Sequence, residues 1–151
     1  SARPGQTLHP RSLAAAPATA IFLGHSYGAL LGTQILFTEP DLFSGYILGS
    51  PSLWYDKRHI LKVEANYAKR NQDLKAKVFL YVGAYEALRK GDRRYNQTVD
   101  MVADNRALEK TLQSRKYPGL KLESVVLNDE DHVTVAPRGF TRGLMYLLPV
   151  R

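Results

Sequence analysis

The chain has 151 residues, 44% hydrophobic and 23% charged, with a mean hydropathy of -0.29; this is the makeup of one compact domain and not of a disordered or fibrous segment. The absence of cysteine excludes disulfides, a thiolate nucleophile and cysteine-ligated zinc, and leaves the compartment undecided. The net charge of +7 is scattered, densest at Arg89, Lys90, Arg93 and Arg94; no aromatic-basic motif accompanies it and no run approaches the roughly 18 apolar residues of a membrane span, so neither nucleic acid nor a membrane is expected as a partner.

Residues 1–18 are Ser, Ala, Pro, Arg and Gly without periodicity, broken by Pro4, Pro10 and Pro17, which predicts an irregular arm with no signal-peptide core. Residues 19–23 form a short run of strand formers, 24–28 a glycine-bounded turn and 29–37 an apolar helix stopped before Pro40. The run GYILG at 45–49 predicts a second strand, ended by Ser50, Pro51 and Ser52, and a loop with Trp54 and Tyr55 follows. A helix is expected over 60–71, a third buried strand over 78–82 (VFLYV) and a polar loop over 84–97. Met101, Leu108 and Leu112 are in phase on a helix over 98–114, and 120–127 supplies a fourth strand. After a loop over 128–135, Pro137 suits the first turn of a last helix, whose Phe140, Leu144, Leu147 and Leu148 are expected to face the core.

About four near-continuous apolar strands, each followed by a helix, predict an α/β domain over 19–151 with a parallel sheet covered on both faces. In such a sheet, active sites lie at the carboxyl ends of the strands. After the first strand stands Gly24-His25-Ser26-Tyr27-Gly28, a G-x-S-x-G sequence in the strand-to-helix context that presents a serine hydroxyl on a tight turn. A serine needs a base, held in turn by a carboxylate. Of four histidines, His9 lies in the arm, His25 sits inside the turn pointing away from the serine, and His59 opens a helix with no strand before it. His132, in the loop after the fourth strand, is the expected base. The acid falls between serine and histidine in this chain order, and Glu86, just past the third strand, fits best; Asp92 and Asp100 compete from further along, and Asp131 should point elsewhere. The backbone N–H of Tyr27 is the expected first oxyanion donor. The second donor has no evident source in this chain.

From Gly24 to Leu148 the chain resembles the esterase D-like family of α/β-hydrolases, which includes enterobactin-type siderophore esterases and is related to feruloyl esterases and S-formylglutathione hydrolases. The resemblance rests on GHSYGALLG, PDLFSGYILGSPSLWYD, FLYVGAYE, DNRALEKTL and NDEDHVTVAPRGFTRGL, in family order. It implies a serine ester hydrolase without metal or organic cofactor. Ser26, Glu86 and His132 would act as the triad, with Ser50, Pro51 and Trp54 lining the approach. An ester of a catecholate siderophore, anionic with iron bound, would give the basic loop around Arg89 a purpose. The resemblance also implies a truncated α/β-hydrolase fold, because the family's first strands, oxyanion loop and much of its substrate wall have no counterpart here. Two expectations follow: self-association or complementation through an unpaired sheet edge, and, as the alternative to an active esterase, a catalytically impaired fragment or binding module.

Overall fold

The computed structural model describes residues 20–148, so the arm expected over 1–18 lies outside the described residues. Four strands, β1 (Ile21–His25), β2 (Gly45–Gly49), β3 (Ala76–Gly83) and β4 (Leu120–Leu127), lie side by side in chain order, all parallel. Helices α1 (Tyr27–Thr38), α2 (Tyr55–Arg70) and α3 (Met101–Arg115) make the crossovers, and α4 (Val135–Leu147) follows β4. Every crossover steps the same way along the sheet, so right-handed connections put α1, α2 and α3 on one face. Among the described residues β1 is hydrogen-bonded to β2 alone.

Alternation along the strands divides the core in two. Tyr46, Leu48, Val78 and Leu80 meet Ala29 and Leu36 of α1, Ile60 of α2, and Leu108 and Leu112 of α3. On the other face Ile47, Phe79 and Tyr81 meet Val135, Phe140 and Leu147 around α4. Burying one such side chain completely stabilises the fold by about 1.5–3 kcal/mol, so the two central strands anchor the domain.

Two details differ from the sequence reading. Strand β1 runs two residues later than expected, because its ladder with β2 continues through Gly24 opposite Leu48 and His25 opposite Gly49; the turn then narrows to Ser26. In α2, by contrast, Asp56, Lys57 and Arg58 take left-handed backbone angles, so regular helix begins only near His59, close to the start expected at residue 60. In α4 the expected core residues Leu144 and Leu148 are 40% and 54% exposed. The buried positions are Val135, Gly139 and Gly143, spaced four apart on one helix face. A Cβ at Gly139 would lie 2.5 Å from the Tyr81 ring, and one at Gly143 would lie 2.8 Å from Ile47. Two glycines thus bring the α4 backbone close to the sheet, which leaves Leu144 and Leu148 on the flank.

Candidate active site

Ser26 joins the end of β1 to the start of α1 with φ 60° and ψ -119°, a conformation that costs a non-glycine residue about 1–3 kcal/mol and persists only when neighbours over-determine it. They do so here: Ser26 N–H donates to Gly49 O at 2.9 Å, and Ser26 O accepts from Leu30 N–H at 3.0 Å and Ser52 N–H at 3.3 Å. The flanking glycines differ in their reasons. A Cβ at Gly24 would stand 2.5 Å from the Gly28 carbonyl group, whereas one at Gly28 would meet nothing. The turn lifts the Ser26 hydroxyl above the sheet, and Tyr27, as the first residue of α1, has an N–H with no intrahelical acceptor.

Glu86 ends a 3-10 turn (Ala84–Glu86) directly after β3 and is 2% exposed. Its Oε2 accepts from Gly83 N–H at 2.7 Å and from Ser50 Oγ–H at 2.5 Å. Its Oε1 accepts from His132 Nδ1–H at 2.5 Å, and His132 Nε2 accepts from Ser26 Oγ–H at 2.9 Å. With its oxygens engaged by three donors, the carboxylate is fixed in orientation. The loop after β4 reaches it because β3 ends in glycine: a Cβ at Gly83 would overlap Glu130 O. Asp131 stiffens that loop by accepting from Val133 N–H and Thr134 N–H at 2.8 and 2.9 Å. The hydrogen bond to Glu86 holds the His132 pKa above its ordinary value, against the opposing effect of burial and with the help of the carboxylate charge. Its tautomer follows from its partners: Nδ1 carries the proton because a carboxylate only accepts, and Nε2 is left free to receive one.

The rival acids are committed elsewhere. Asp100 caps α3 through Ala103 N–H at 2.8 Å, and Asp92 forks Arg94 at 3.2 and 3.0 Å. His59 is exposed, and His9 lies outside the described residues. His25 points away from the Ser26 hydroxyl, toward Tyr81 Oη and the His132 carbonyl, at 3.0 and 2.7 Å.

Beside Ser26 and His132 opens a cavity of about 400 Å³, with Ser52, Trp54, Tyr85, Arg94 and Tyr95 in its wall. Trp54 is where the sequence put it. Ser50 and Pro51 do not line this cavity; both are buried, and Ser50 spends its hydroxyl on Glu86. Arg89 is not in the wall either: its guanidinium lies 3.9 Å from the Tyr95 ring centre, and Arg94 takes the place expected of it. Sequence reasoning missed Ser52, whose hydroxyl lies 3.3 Å from Ser26 Oγ, along with Tyr85 and Tyr95, whose rings pack edge to face at 5.2 Å. The signal for Ser52 was the second serine of Ser50-Pro51-Ser52 at a strand's carboxyl end. Polar loop residues such as Tyr95 carry no periodicity that betrays a wall.

No family model matches the chain. Ferri-bacillibactin esterase BesA of Bacillus subtilis is 30% identical over 125 residues, 83% of this chain and 41% of that protein. Siderophore hydrolase EstA from Aspergillus nidulans superposes with a TM-score of 0.75 at 26% identity, over 86% of this chain and 47% of that one. The BES protein from Bacillus cereus superposes with a TM-score of 0.70 at 28% identity, over 86% and 45%. The chain therefore spans less than half the length of these relatives. Its homologues and structural neighbours are siderophore esterases and esterase-like hydrolases, matched over about 85% of its length, and the four parallel strands alternating with helices are the fold it shares with them.

Proposed function

We propose that this chain carries the nucleophile, acid and base of a serine hydrolase that cleaves carboxylic esters of the siderophore type through an acyl-enzyme. The observation that carries the reading is the unbroken chain of hydrogen bonds from Ser26 Oγ through His132 to Glu86, with contacts of 2.9 and 2.5 Å, at the mouth of the cavity. His132 Nε2 takes the hydroxyl proton as Ser26 Oγ attacks the ester carbonyl carbon. The carbonyl oxygen becomes an oxyanion, which the Tyr27 N–H at the positive end of α1 stabilises. Collapse of this intermediate breaks the bond to the alcohol oxygen, and the imidazolium gives that oxygen the proton. Water then attacks the acyl group, losing its proton to His132, and Ser26 recovers its own as the acid leaves. Glu86 stays ionised throughout and keeps Nδ1–H the donor.

The siderophore class comes from the names of the relatives. A bulky aryl ester also suits a cavity walled by Trp54, Tyr85 and Tyr95. Arg94 adds a positive charge to that wall, shared with Asp92 at 3.0 Å.

The test uses the purified chain with a short p-nitrophenyl ester and a fluorophosphonate label, beside Ser26→Ala. Both labelling and turnover should occur in the parent and vanish in the variant. Labelling without turnover supports the impaired fragment or binding module instead, since loss of one oxyanion donor costs on the order of a hundredfold or more. Labelling that survives in Ser26→Ala overturns the reading.

A further inference from the structure

Residue 25 of the turn sequence is a histidine that makes two directed hydrogen bonds at the rear of the site. Its Nε2 lies 2.7 Å from the His132 carbonyl oxygen, and its Nδ1 lies 3.0 Å from Tyr81 Oη. A carbonyl only accepts, so Nε2 carries the proton, and the free Nδ1 lone pair accepts the Tyr81 hydroxyl. The imidazole is also packed, its ring centre 4.8 Å from that of His132, 5.9 Å from Tyr81 and 6.4 Å from Phe140.

Tyr81 is itself seated with unusual completeness for a residue bearing a hydroxyl. It is 0% exposed, and its ring fills a slot between two backbones: a Cβ at Gly49 of β2 would overlap the ring, and one at Gly139 of α4 would lie 2.5 Å from it. The slot gives the hydroxyl one direction, toward His25. The chain of contacts runs from the sheet core through Tyr81 and His25 to the main chain of His132.

We propose that His25, oriented by Tyr81, is a positioning residue that anchors the His132 main chain and so sets the reach of its imidazole to Ser26. The inference rests on the proposed roles of Ser26 and His132. Glu86 fixes only one edge of the His132 ring; the backbone from which the ring hangs belongs to an irregular loop, and the His25 bond ties that loop to the end of β1. Ser26 and the anchor of its base thus sit on adjacent residues, and the two move as one. A neutral His25 is what this requires, because protonation at Nδ1 would turn the Tyr81 bond from an acceptance into a donation. Burial holds the His25 pKa below the ordinary value, against the bond to the His132 carbonyl, which raises it. The titratable groups that face His25 are Tyr81 from β3 and His132 from the loop after β4, with Glu86 acting at longer range; α4 offers the uncharged Phe140.

The experiment compares the parent chain with His25→Leu, His25→Gln, Tyr81→Phe and Ser26→Ala. Fluorophosphonate labelling rate, thermal midpoint and the NMR titration of the His132 ring are read in each. Loosening the base costs about 10- to 100-fold in labelling for His25→Leu. His25→Gln restores most of the rate, because its amide N–H reaches the His132 carbonyl as Nε2–H does. Tyr81→Phe, which keeps the ring in its slot, loses about fivefold. In His25→Leu the His132 titration moves down toward the ordinary histidine value as the ring drifts from Glu86; in His25→Gln it stays. A folded His25→Leu that labels at the parent rate overturns the proposal, and so does equal loss in the Leu and Gln variants. Failure of the nucleophile reading looks different: Ser26→Ala labels like the parent, or nothing labels. The NMR titration still decides the anchor in that case, with an unmoved His132 in His25→Leu counting against it.

Discussion

Two glutamates, Glu64 on α2 and Glu86 after β3, are equally buried at 2% exposure, yet they meet opposite kinds of partner. Glu64 accepts a two-pronged bond from Arg115 of α3, 2.8 Å to each oxygen, at the side of the helical layer. Glu86 faces a histidine, a serine hydroxyl and a backbone N–H at the sheet's carboxyl rim. A guanidinium keeps its charge at any ordinary pH, so the Glu64 pair is a fixed clamp between two helices. An imidazole gains and loses a proton near neutrality, so the role proposed for the second buried carboxylate is to support proton transfer. Burial alone therefore does not mark a functional carboxylate; the titration range of its partner does.

The comparison breaks first at Glu86→Gln. The amide can still accept from Gly83 N–H and Ser50 Oγ–H, but its NH2 toward His132 forces the proton onto Nε2, where the base function needs a lone pair. Labelling of Ser26 should fall about 10⁴-fold, with a thermal midpoint close to the parent's. A large loss of stability with labelling retained would make Glu86 a second clamp. Glu64→Gln should do the reverse. It leaves Arg115 facing a neutral partner and should cost about 3 kcal/mol in urea unfolding, the low end for a broken buried pair, because Arg115 is 34% exposed. Its labelling rate should not change. Loss of labelling in a folded Glu64→Gln would erase the distinction.

How much of this contrast was legible in the sequence follows from what each feature depends on. The strands and the serine turn are local, carried by runs such as GYILG and VFLYV and by Gly24, whose missing side chain the turn requires. The placement of Glu86 and His132 beside Ser26 was legible because active sites of parallel sheets lie in the loops after strands. The roles of Ser50 and His25 were not, since both depend on contacts across the sheet: residue 50 meets residue 86, and residue 25 meets residues 81 and 132. The close approach of α4 was hidden for a different reason. Its leucines carry the stronger apolar signal, while Gly139 and Gly143, a small-residue stripe spaced by four, set the packing. The Glu64 clamp left no trace, because a charged residue on a helix reads as solvated until its partner helix is known.

The smallest expected effect concerns pH, and it too separates the two glutamates. Folding raises the His132 pKa, with the Glu86 hydrogen bond as the leading cause. The stability this contributes is full below the unfolded histidine value of roughly 6.5 and is lost as pH rises through the folded value. His25 acts with the opposite sign: burial lowers its pKa, so stability is lost as pH falls from that same value through the folded one. Urea midpoints should accordingly peak near the ordinary histidine value and decline on both sides. Labelling of Ser26 should instead climb with pH, because His132 must be neutral to take the hydroxyl proton, and it should level off above a midpoint higher than the ordinary histidine value. On the alkaline side the protein thus becomes less stable as it becomes more reactive. The Arg115 guanidinium keeps its charge throughout this window, so Glu64→Gln should lower the whole stability curve without moving its peak. His132→Gln should remove the alkaline decline, and His25→Gln the acid one. A peak that survives both substitutions would place the titrating groups outside the site and dissolve the link between the buried carboxylate at the rim and the proton it is proposed to support.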